Sequence, residues 1–461
     1  MSATSAGGGS RPRPSPTAFG ARSARTGKRP CGVESSPVPP IATPRADSSS
    51  SASHVVFVGA DLFSAYGDLI RGLTEVGARV SALGLRAPSA LDAGLRRRLD
   101  AYVPVRELAS PTAIADAVRD LGRGRPVDLL ETGDEALVLP VAQAREALGL
   151  PGLSVRSATL CRDKAAMKDV LRAAGIPCAA SEAVSTLEAA RRFAEREGFP
   201  LIVKPRAALG GLGTSRADDV RSLEAAVKRL GIDGGTSVQL EEFVEGHEGF
   251  YDTLSVDGAP VHEFVAHYYP SVLTALEDRR VSPQIAATNR VEESGYDALR
   301  AMGRRVIEVL GIGTSATHME WFFGPKGLKF SEIGARPPGE RIFDLHSAGN
   351  DMDVWTEWAQ VVLHRRPRAT PSRRFATGSV QVRPPRDGRI AGYRHLEEVV
   401  ERIRPFLFDH HIPAPGAPTD PIHKGYLNNV WFRLRHPDYD ALCAMMTYVG
   451  ERLGVELEEA R

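Results

Sequence analysis

The first ordered pattern along the chain is His54-Val-Val-Phe-Val58, a short apolar and β-branched run that predicts a buried strand. Gly59 follows as a turn, and the apolar spacing of Leu69, Ile70, Leu73 and Val76 predicts a helix. The same unit recurs: Val80 to Leu83, then Tyr102 to Val105 with a helix around Ile114 to Leu121, then Val127 to Leu130 with a helix from Glu135 to Leu148. Strands alternating with helices over short connections predict a parallel sheet covered on both faces. After Ser157 the pattern changes. A helix carries Lys164 and Met167 and stops at Gly175 and Pro177, and another spans about Thr186 to Glu197. Pro200 to Pro205 reads as a buried strand, followed by the glycine-rich Leu209 to Ser215, a helix at about Asp219 to Leu230 and a strand at Val238 to Phe243. Paired strands at about Phe250 to Tyr268, a helix at Asp297 to Leu310, a hairpin at Thr317 to Ile333 and a helix near Val354 to Leu363 complete the body. Trp355 and Trp358, three apart on that last helix, belong to the core. The Pro-rich Arg366 to Pro371 marks a boundary before a smaller α+β end from about Gly378.

This is an α/β and α+β multidomain pattern. Its expected parts are an arm over 1–53, a Rossmann-like unit over 54–158, a central unit over 159–366 with a lobe at about 178–240, and a C-terminal α+β unit over 367–461. Composition adjusts the picture at four points. The first 53 residues hold twelve Ser, eight Pro, seven basic and two acidic residues with no apolar periodicity, so the arm reads as disordered. The 58 basic against 57 acidic residues of the whole chain leave no electrostatic footprint for nucleic acid or anionic membrane. No apolar run reaches the roughly 18 residues of a membrane span. The scattered Cys31, Cys161, Cys178 and Cys443 form no metal-binding spacing and suit a reducing cytoplasm. Small-molecule substrates are the expected partners, with a homodimer as the assembly allowed for.

A dinucleotide site is disfavoured, because Gly59-Ala-Asp-Leu-Phe-Ser lacks the G-x-G-x-x-G pattern. Other residues carry more chemistry. The loop containing Gly210, Gly211 and Gly213 follows a strand ending in Lys204-Pro205, where clustered backbone N–H groups and a lysine suit one phosphate. The hairpin places Glu320 and Glu332 on its two strands. With Pro325-Lys-Gly327 as a three-residue loop, Gly324 pairs with Leu328 and the glutamates face each other; a four-residue loop sends them to opposite faces. Facing carboxylates repel unless a cation sits between them, and an all-oxygen pair selects Mg²⁺ or Mn²⁺ over Zn²⁺. Arg336 follows in Glu332-Ile-Gly-Ala-Arg-Pro-Pro-Gly339, either as an anion clamp or as a partner of Glu332. His318 shares the face of Glu320 and reads equally as a site residue or a packed core histidine, and His410, His411 and His423 read as structural.

An Arg-Asp-Lys helix, a Val-Lys-Pro strand, a Gly-rich loop, Glu241-Glu-Phe-Val-Glu-Gly-His-Glu248, two metal-type glutamates and an arginine, in this order, resemble the ATP-grasp superfamily and specifically its carboxylate-amine ligases. The resemblance runs from about Val55 to about Arg461. It implies that Lys164 and Lys204 hold ATP phosphates and that Gly210 to Gly213 close over them. It further implies that Glu241, Glu242, Phe243 and Val244 meet adenine, the last two through their backbone, and that Glu248 binds ribose. Glu320 and Glu332 would bind Mg²⁺ (or Mn²⁺), and Arg336 would steady the transferring phosphoryl group or the carboxylate. Gly334 departs from the usual Glu-x-Asn-x-Arg, so that a second metal is held more weakly or another oxygen substitutes. The implied activity is ATP-dependent formation of a carbon–nitrogen bond through an acyl phosphate. A biotin-carboxylase-like enzyme acting on bicarbonate and a non-catalytic nucleotide-binding module are the alternatives. Substrates are expected where Glu131 to Glu135 and His267 to Asn289 meet, since ligands of open parallel sheets gather at the carboxyl ends of strands.

Overall fold

The computed structural model describes residues 52–206, 213–421 and 430–459. The expected disordered arm up to residue 51, Gly210, Gly211 and His423 lie outside them. The first sheet is parallel, with the order β3-β2-β1-β4 for β1 (His54–Val58), β2 (Arg79–Gly84), β3 (Ala101–Pro104) and β4 (Leu129–Thr132). Every residue of β1 is buried, because both faces are covered. Val55 and Phe57 pack with Leu69, Trp355 and Trp358, while Val56 and Val58 pack with Ile114, Val118 and Val141. Both tryptophans are thus core residues, contributed by the helix Val354–His364 from far along the chain. That helix lies against the helix Tyr66–Glu75 so closely that a Cβ on Gly72 would stand 2.6 Å from the Trp355 carbonyl oxygen. Only glycine permits this approach.

A second, antiparallel sheet has the order β5-β8-β6-β7 for β5 (Ser181–Val184), β6 (Leu201–Pro205), β7 (Ser215–Ala217) and β8 (Val238–Glu242). Helices Leu187–Glu197 and Val220–Arg229 bury Phe193, Leu223 and Val227 against it. The largest sheet, also antiparallel, has the order β13-β12-β9-β10-β11-β14-β17-β16. Its members are β9 (His247–Val256), β10 (Ala259–Tyr269), β11 (Gln284–Ala287), β12 (Ser315–Gly324), β13 (Gly327–Gly334), β14 (Ala376–Val382), β16 (Leu407–His411) and β17 (Val430–His436). β15 (Ile390–Arg394) and β18 (Gly454–Leu457) pair separately. The large sheet therefore runs without a break across residues 366 and 367, since β11 pairs with β14. One of its faces carries Tyr251, Val265, Met319 and Trp321 into a core with the helices Lys164–Ala173 and Asp297–Leu310. The other face carries the charged residues considered next.

The hairpin differs from expectation in its turn. Gly324 pairs with Gly327 across a two-residue loop, which alone would place Glu320 out of register with Glu332. A bulge between Glu320 and Trp321 absorbs the extra residue, Ser331, and brings Glu320 opposite Glu332 after all. Among the described residues no helix is long and apolar enough to cross a membrane.

Candidate nucleotide and metal site

Strict alternation puts His318, Glu320 and Phe322 of β12 on one face, beside Asp252, Phe250 and Glu248 of β9 and Glu332 of β13. A cavity opens over this face against the second sheet. Its charged end is lined by Lys164, Lys204, Glu241, Glu248, Glu320 and Glu332, and its apolar wall by Ile202, Phe243, Val244, Leu276 and Phe322. One end thus suits phosphates and the other a flat heterocycle.

Each charged residue is placed by an identifiable element. Lys164 opens its helix, where Asp163 caps the backbone N–H groups of Ala165 and Ala166 and is itself held by Arg206 at 2.6 Å. The Lys164 ammonium pairs with Glu332. Lys204, near the end of β6, reaches Glu241 at 2.9 Å, and the other oxygen of Glu241 takes Lys168 at 2.6 Å. Burial opposes the Glu241 charge, but Lys168 and Lys204 outweigh it and hold its carboxyl below the usual range. Lys168 is fully enclosed, and burial together with neighbouring Lys204 pushes it down to about 8 despite Glu241. Sequence reasoning passed over Lys168. Its signal was a lysine one turn after Lys164, next to Met167 on the buried stripe of an amphipathic helix.

Glu320 is pushed up by burial and by facing Glu332. Glu332, partly exposed to the cavity, is held well below the carboxylate range because Lys164 and Lys204 outweigh its burial. Glu248 is pushed up by burial and then by Glu320, while one of its oxygens accepts the Val272 N–H at 2.8 Å. Glu248, Glu320 and Glu332 thus line one cavity, with Glu332 neutralised by lysine, and a cation beside Glu320 and Glu332 would relieve their repulsion. Among the described residues no group of three or more His, Cys, Asp or Glu side chains is arranged to hold a metal by itself. The pair Glu320 and Glu332 fits Mg²⁺, which ordinarily shares one or two carboxylates with substrate phosphates.

Of the expected adenine contacts, Glu241 is tied to the lysines, and the Glu242 carboxylate pairs with Lys329 and accepts the Ala180 N–H at 3.2 Å. The Phe243 N–H donates to the Pro200 carbonyl at 3.2 Å, so this amide is committed within the protein and is not available to read a base. Gly213, in the left-handed region at φ 75°, begins the second described segment, and its neighbour Thr214 lines the cavity.

Arg336 does not pair with Glu332, as one expectation had it. Its Nε donates to Glu135 Oε2 at 2.7 Å and its Nη1 to the Pro337 carbonyl at 2.8 Å, while Arg162 holds Glu135 Oε1 at 2.9 Å. Burial opposes the Arg336 charge, and Glu135 restores it. Glu135 begins the turn that follows β4, so the carboxyl end of the parallel sheet meets the end of β13. The same loop places Asp134 at 3.1 Å from the Tyr66 hydroxyl. A Cβ on Gly334 would stand 2.6 Å from Glu135 Oε2, so this carboxylate occupies the space that a side chain at 334 would need. Across from Gly334, His318 Nδ1 meets Asp252 at 2.7 Å, and His346 Nε2 meets the second Asp252 oxygen at 2.8 Å. Of the segments expected to meet at the substrates, Glu131 to Glu135 reaches this end of the cleft through Glu135, and the second contributes Ser271, Val272, Leu273 and Leu276 to the cavity lining, although His267 itself lies on the opposite face, bonded to His247 and Tyr296 at 2.8 Å.

A family model described as "Carbamoyl-phosphate synthase L chain, ATP binding domain" matches residues 163–248. The chain is 29% identical over 218 residues to the alanine–anticapsin ligase of Bacillus subtilis (strain 168), a match covering 42% of this chain and 44% of that protein. It is 23% identical over 301 residues to the L-arginine-specific L-amino acid ligase of Bacillus subtilis, covering 64% of this chain and 72% of that one. The chain thus spans less than half the length of the first of these relatives. Among solved structures, the L-amino acid ligase from Bacillus licheniformis superposes with a TM-score of 0.70 at 20% identity, over 89% of this chain and all of the other.

Proposed function

We propose that the chain is an ATP-grasp carboxylate-amine ligase that splits ATP to ADP and phosphate, a reading supported by the matched segment 163–248 and by the likeness of its fold to an L-amino acid ligase. In this reading Lys164 and Lys204 bind the phosphates, the apolar wall takes adenine with the Val244 backbone at its edge, and Glu248 holds the ribose. The lobe at 178–240, with Gly210 to Gly213, acts as the lid. The Rossmann-like unit at 54–158 supplies the substrate side, and 367–461 extends the large sheet. Glu320 and Glu332 would hold Mg²⁺, whose charge offsets that of the phosphates when bound. A substrate carboxylate oxygen attacks the γ-phosphorus, the bond to the β-phosphate oxygen breaks, and ADP leaves with that electron pair. The amine nitrogen then attacks the acyl carbon, and phosphate departs with the former carboxylate oxygen while the nitrogen loses a proton. Arg336 faces the charge that develops on the carboxylate and phosphoryl oxygens, and Glu135 and Arg162 fix its guanidinium beforehand. No protein nucleophile takes part. The cavity excludes water from an intermediate that water would destroy.

The observation that carries this reading is the single face on which Glu320 opposes Glu332, within one cavity that also holds Lys164, Lys204 and an apolar wall. The relatives named above join amino acids, which supports amino-acid-like substrates here. ADP formation with a panel of carboxylates and amines tests the reading: release that needs both is expected. Release needing bicarbonate and no amine would replace it with a bicarbonate-activating enzyme, and nucleotide binding without release would replace it with a binding module.

A further inference from the structure

Glu332 and Gly334 lie two apart on β13 and so project to one face, Glu332 opposite Glu320 and Gly334 opposite His318. A second divalent cation on Glu332 would take its next oxygen from the side chain at 334, where the usual Glu-x-Asn-x-Arg carries Asn, and glycine has none to offer. The place is not open. A Cβ at 334 would stand 2.6 Å from Glu135 Oε2, so a carboxylate from the end of the parallel sheet fills the volume of the missing side chain. Either this oxygen replaces the amide as a metal ligand, or it fills the place without binding metal.

The hydrogen bonds decide between these. Arg336 Nε donates to Glu135 Oε2 at 2.7 Å and Arg162 Nη1 to Oε1 at 2.9 Å, so both oxygens are taken by guanidinium groups. All three side chains are largely buried, which leaves little water to screen their charges. Arginine keeps its proton, and two guanidiniums with one carboxylate leave an excess of positive charge beside Gly334. A carboxylate held in this way is a poor ligand, and the excess charge repels a dication. Among the described residues the neighbouring carboxylates do not make up the shortage. Both oxygens of Asp252 are engaged by His318 and His346, those of Asp134 by the Tyr66 hydroxyl and the Ala136 N–H, and one of Glu248 by the Val272 N–H. The facing pair Glu320 and Glu332 serves one cation, and a second finds no comparable set.

We propose that this site works with one divalent cation, held by Glu320 and Glu332, and that the guanidinium pair Arg162 and Arg336, bridged by Glu135, stands in the place of a second. The inference rests on the ligase reading for the assignment of Glu320 and Glu332 as the metal pair. It makes Arg162 a positioning residue: through Glu135 it holds Arg336, and it keeps the second Glu135 oxygen from binding metal. Charge developing on that side of the phosphoryl group meets fixed guanidinium instead of a metal ion.

The test counts bound Mn²⁺ by electron paramagnetic resonance, titrating the full chain saturated with a non-hydrolysable ATP analogue. One tight Mn²⁺ per nucleotide is expected, with any second at least about tenfold weaker. Two Mn²⁺ of similar affinity would overturn the proposal, and a fall from two to one in Glu135→Gln would then identify Glu135 as the ligand that position 334 lacks. Glu332→Gln should weaken the tight Mn²⁺ about tenfold, and an unchanged isotherm in that variant would also overturn the proposal. Arg162→Met frees Glu135 Oε1 and removes one positive charge, so a second Mn²⁺ should tighten about tenfold, whereas Arg162→Lys keeps the charge and should retain the wild-type count. An Arg162→Met protein that melts as the wild type does and binds Mn²⁺ identically would contradict the role of the pair; the wild-type count decides the matter if that variant does not fold. One tight Mn²⁺ without ADP release from any carboxylate and amine would uphold the single cation and sink the ligase reading. ADP release that needs both substrates, with two tight Mn²⁺, would do the reverse.

Discussion

Placing the usual asparagine at position 334 should damage this site. A Cβ there would lie 2.6 Å from Glu135 Oε2, whereas ordinary contact begins near 3.4 Å, so the carboxylate must retreat by about 0.8 Å. The displaced oxygen is the one that accepts from Arg336 at 2.7 Å, and a retreat of that size takes the bond to about 3.5 Å, beyond effective range. The Glu135 and Arg336 side chains are only 10% and 18% exposed, so solvent screens the loss little. A charge-assisted bond of this kind contributes about 1.5–3 kcal/mol. If Arg336 acts on developing charge, most of that appears in the barrier, as a fall of about tenfold to a hundredfold in kcat. Gly334→Ala carries the same Cβ without the amide and should show the same fall, isolating the steric effect from any gain of a metal ligand. The assay is coupled ADP release across a Mg²⁺ titration, with thermal melting to confirm folding. Gly334→Asn with undiminished kcat and half-saturation at lower Mg²⁺ would refute the reasoning, showing that the position lacks only a ligand and that Glu135 does not fill it.

Lys204→Ala should weaken MgATP binding in calorimetry and, since it also removes one of the two lysines that pair with buried Glu241, lower the Tm of the nucleotide-free protein; unaltered affinity in the folded variant would remove Lys204 from the phosphate site. Lys168→Met should act on stability, because Lys168 and Glu241 are 1% and 7% exposed, and the loss should fall at the low end of the about 3–5 kcal/mol for a broken buried pair since Lys204 still holds the other Glu241 oxygen; chemical denaturation measures this, and an unchanged midpoint would contradict it. Glu320 carries its carboxyl above the unfolded value of 4.5, so the folded state holds a proton that the unfolded state has released. The associated stability is present at low pH and lost as pH rises through the raised value, and the metal-free protein should melt lower at about pH 8 than at about pH 6.5. Glu320→Gln should flatten that slope and abolish Mg²⁺-dependent turnover, and an identical slope in the variant would count against the facing carboxylates.

The facing glutamates were legible because the hairpin spacing left few registers, yet the register arose differently from the one read. A two-residue turn and a bulge at Ser331 together reproduce the pairing that a three-residue loop would have produced. Local pattern cannot separate the two, since each satisfies the same alternation. The cavity lysines Lys164 and Lys204 and the strand–helix order of the parallel sheet were legible for a similar reason, being local in sequence. What stayed hidden is long-range. Glu135 meets Arg336 across 201 positions, and nothing near either residue signals the other. The Asp252 carboxylate shared by His318 and His346 depends on strand pairing and a helix placement that periodicity leaves open. Continuity of the large sheet past residue 366 was concealed by the proline-rich segment, which reads as a boundary although β11 and β14 pair across it.

The central claim is that a substrate carboxylate oxygen attacks the γ-phosphorus and later departs in the released phosphate while the acyl carbon stays in the amide. Turnover with a carboxylate substrate labelled with heavy oxygen tests this most directly. The account predicts that each phosphate released carries one labelled oxygen and that the other labelled atom remains in the amide product. Phosphate free of label, or release of AMP and pyrophosphate in place of ADP and phosphate, would contradict it.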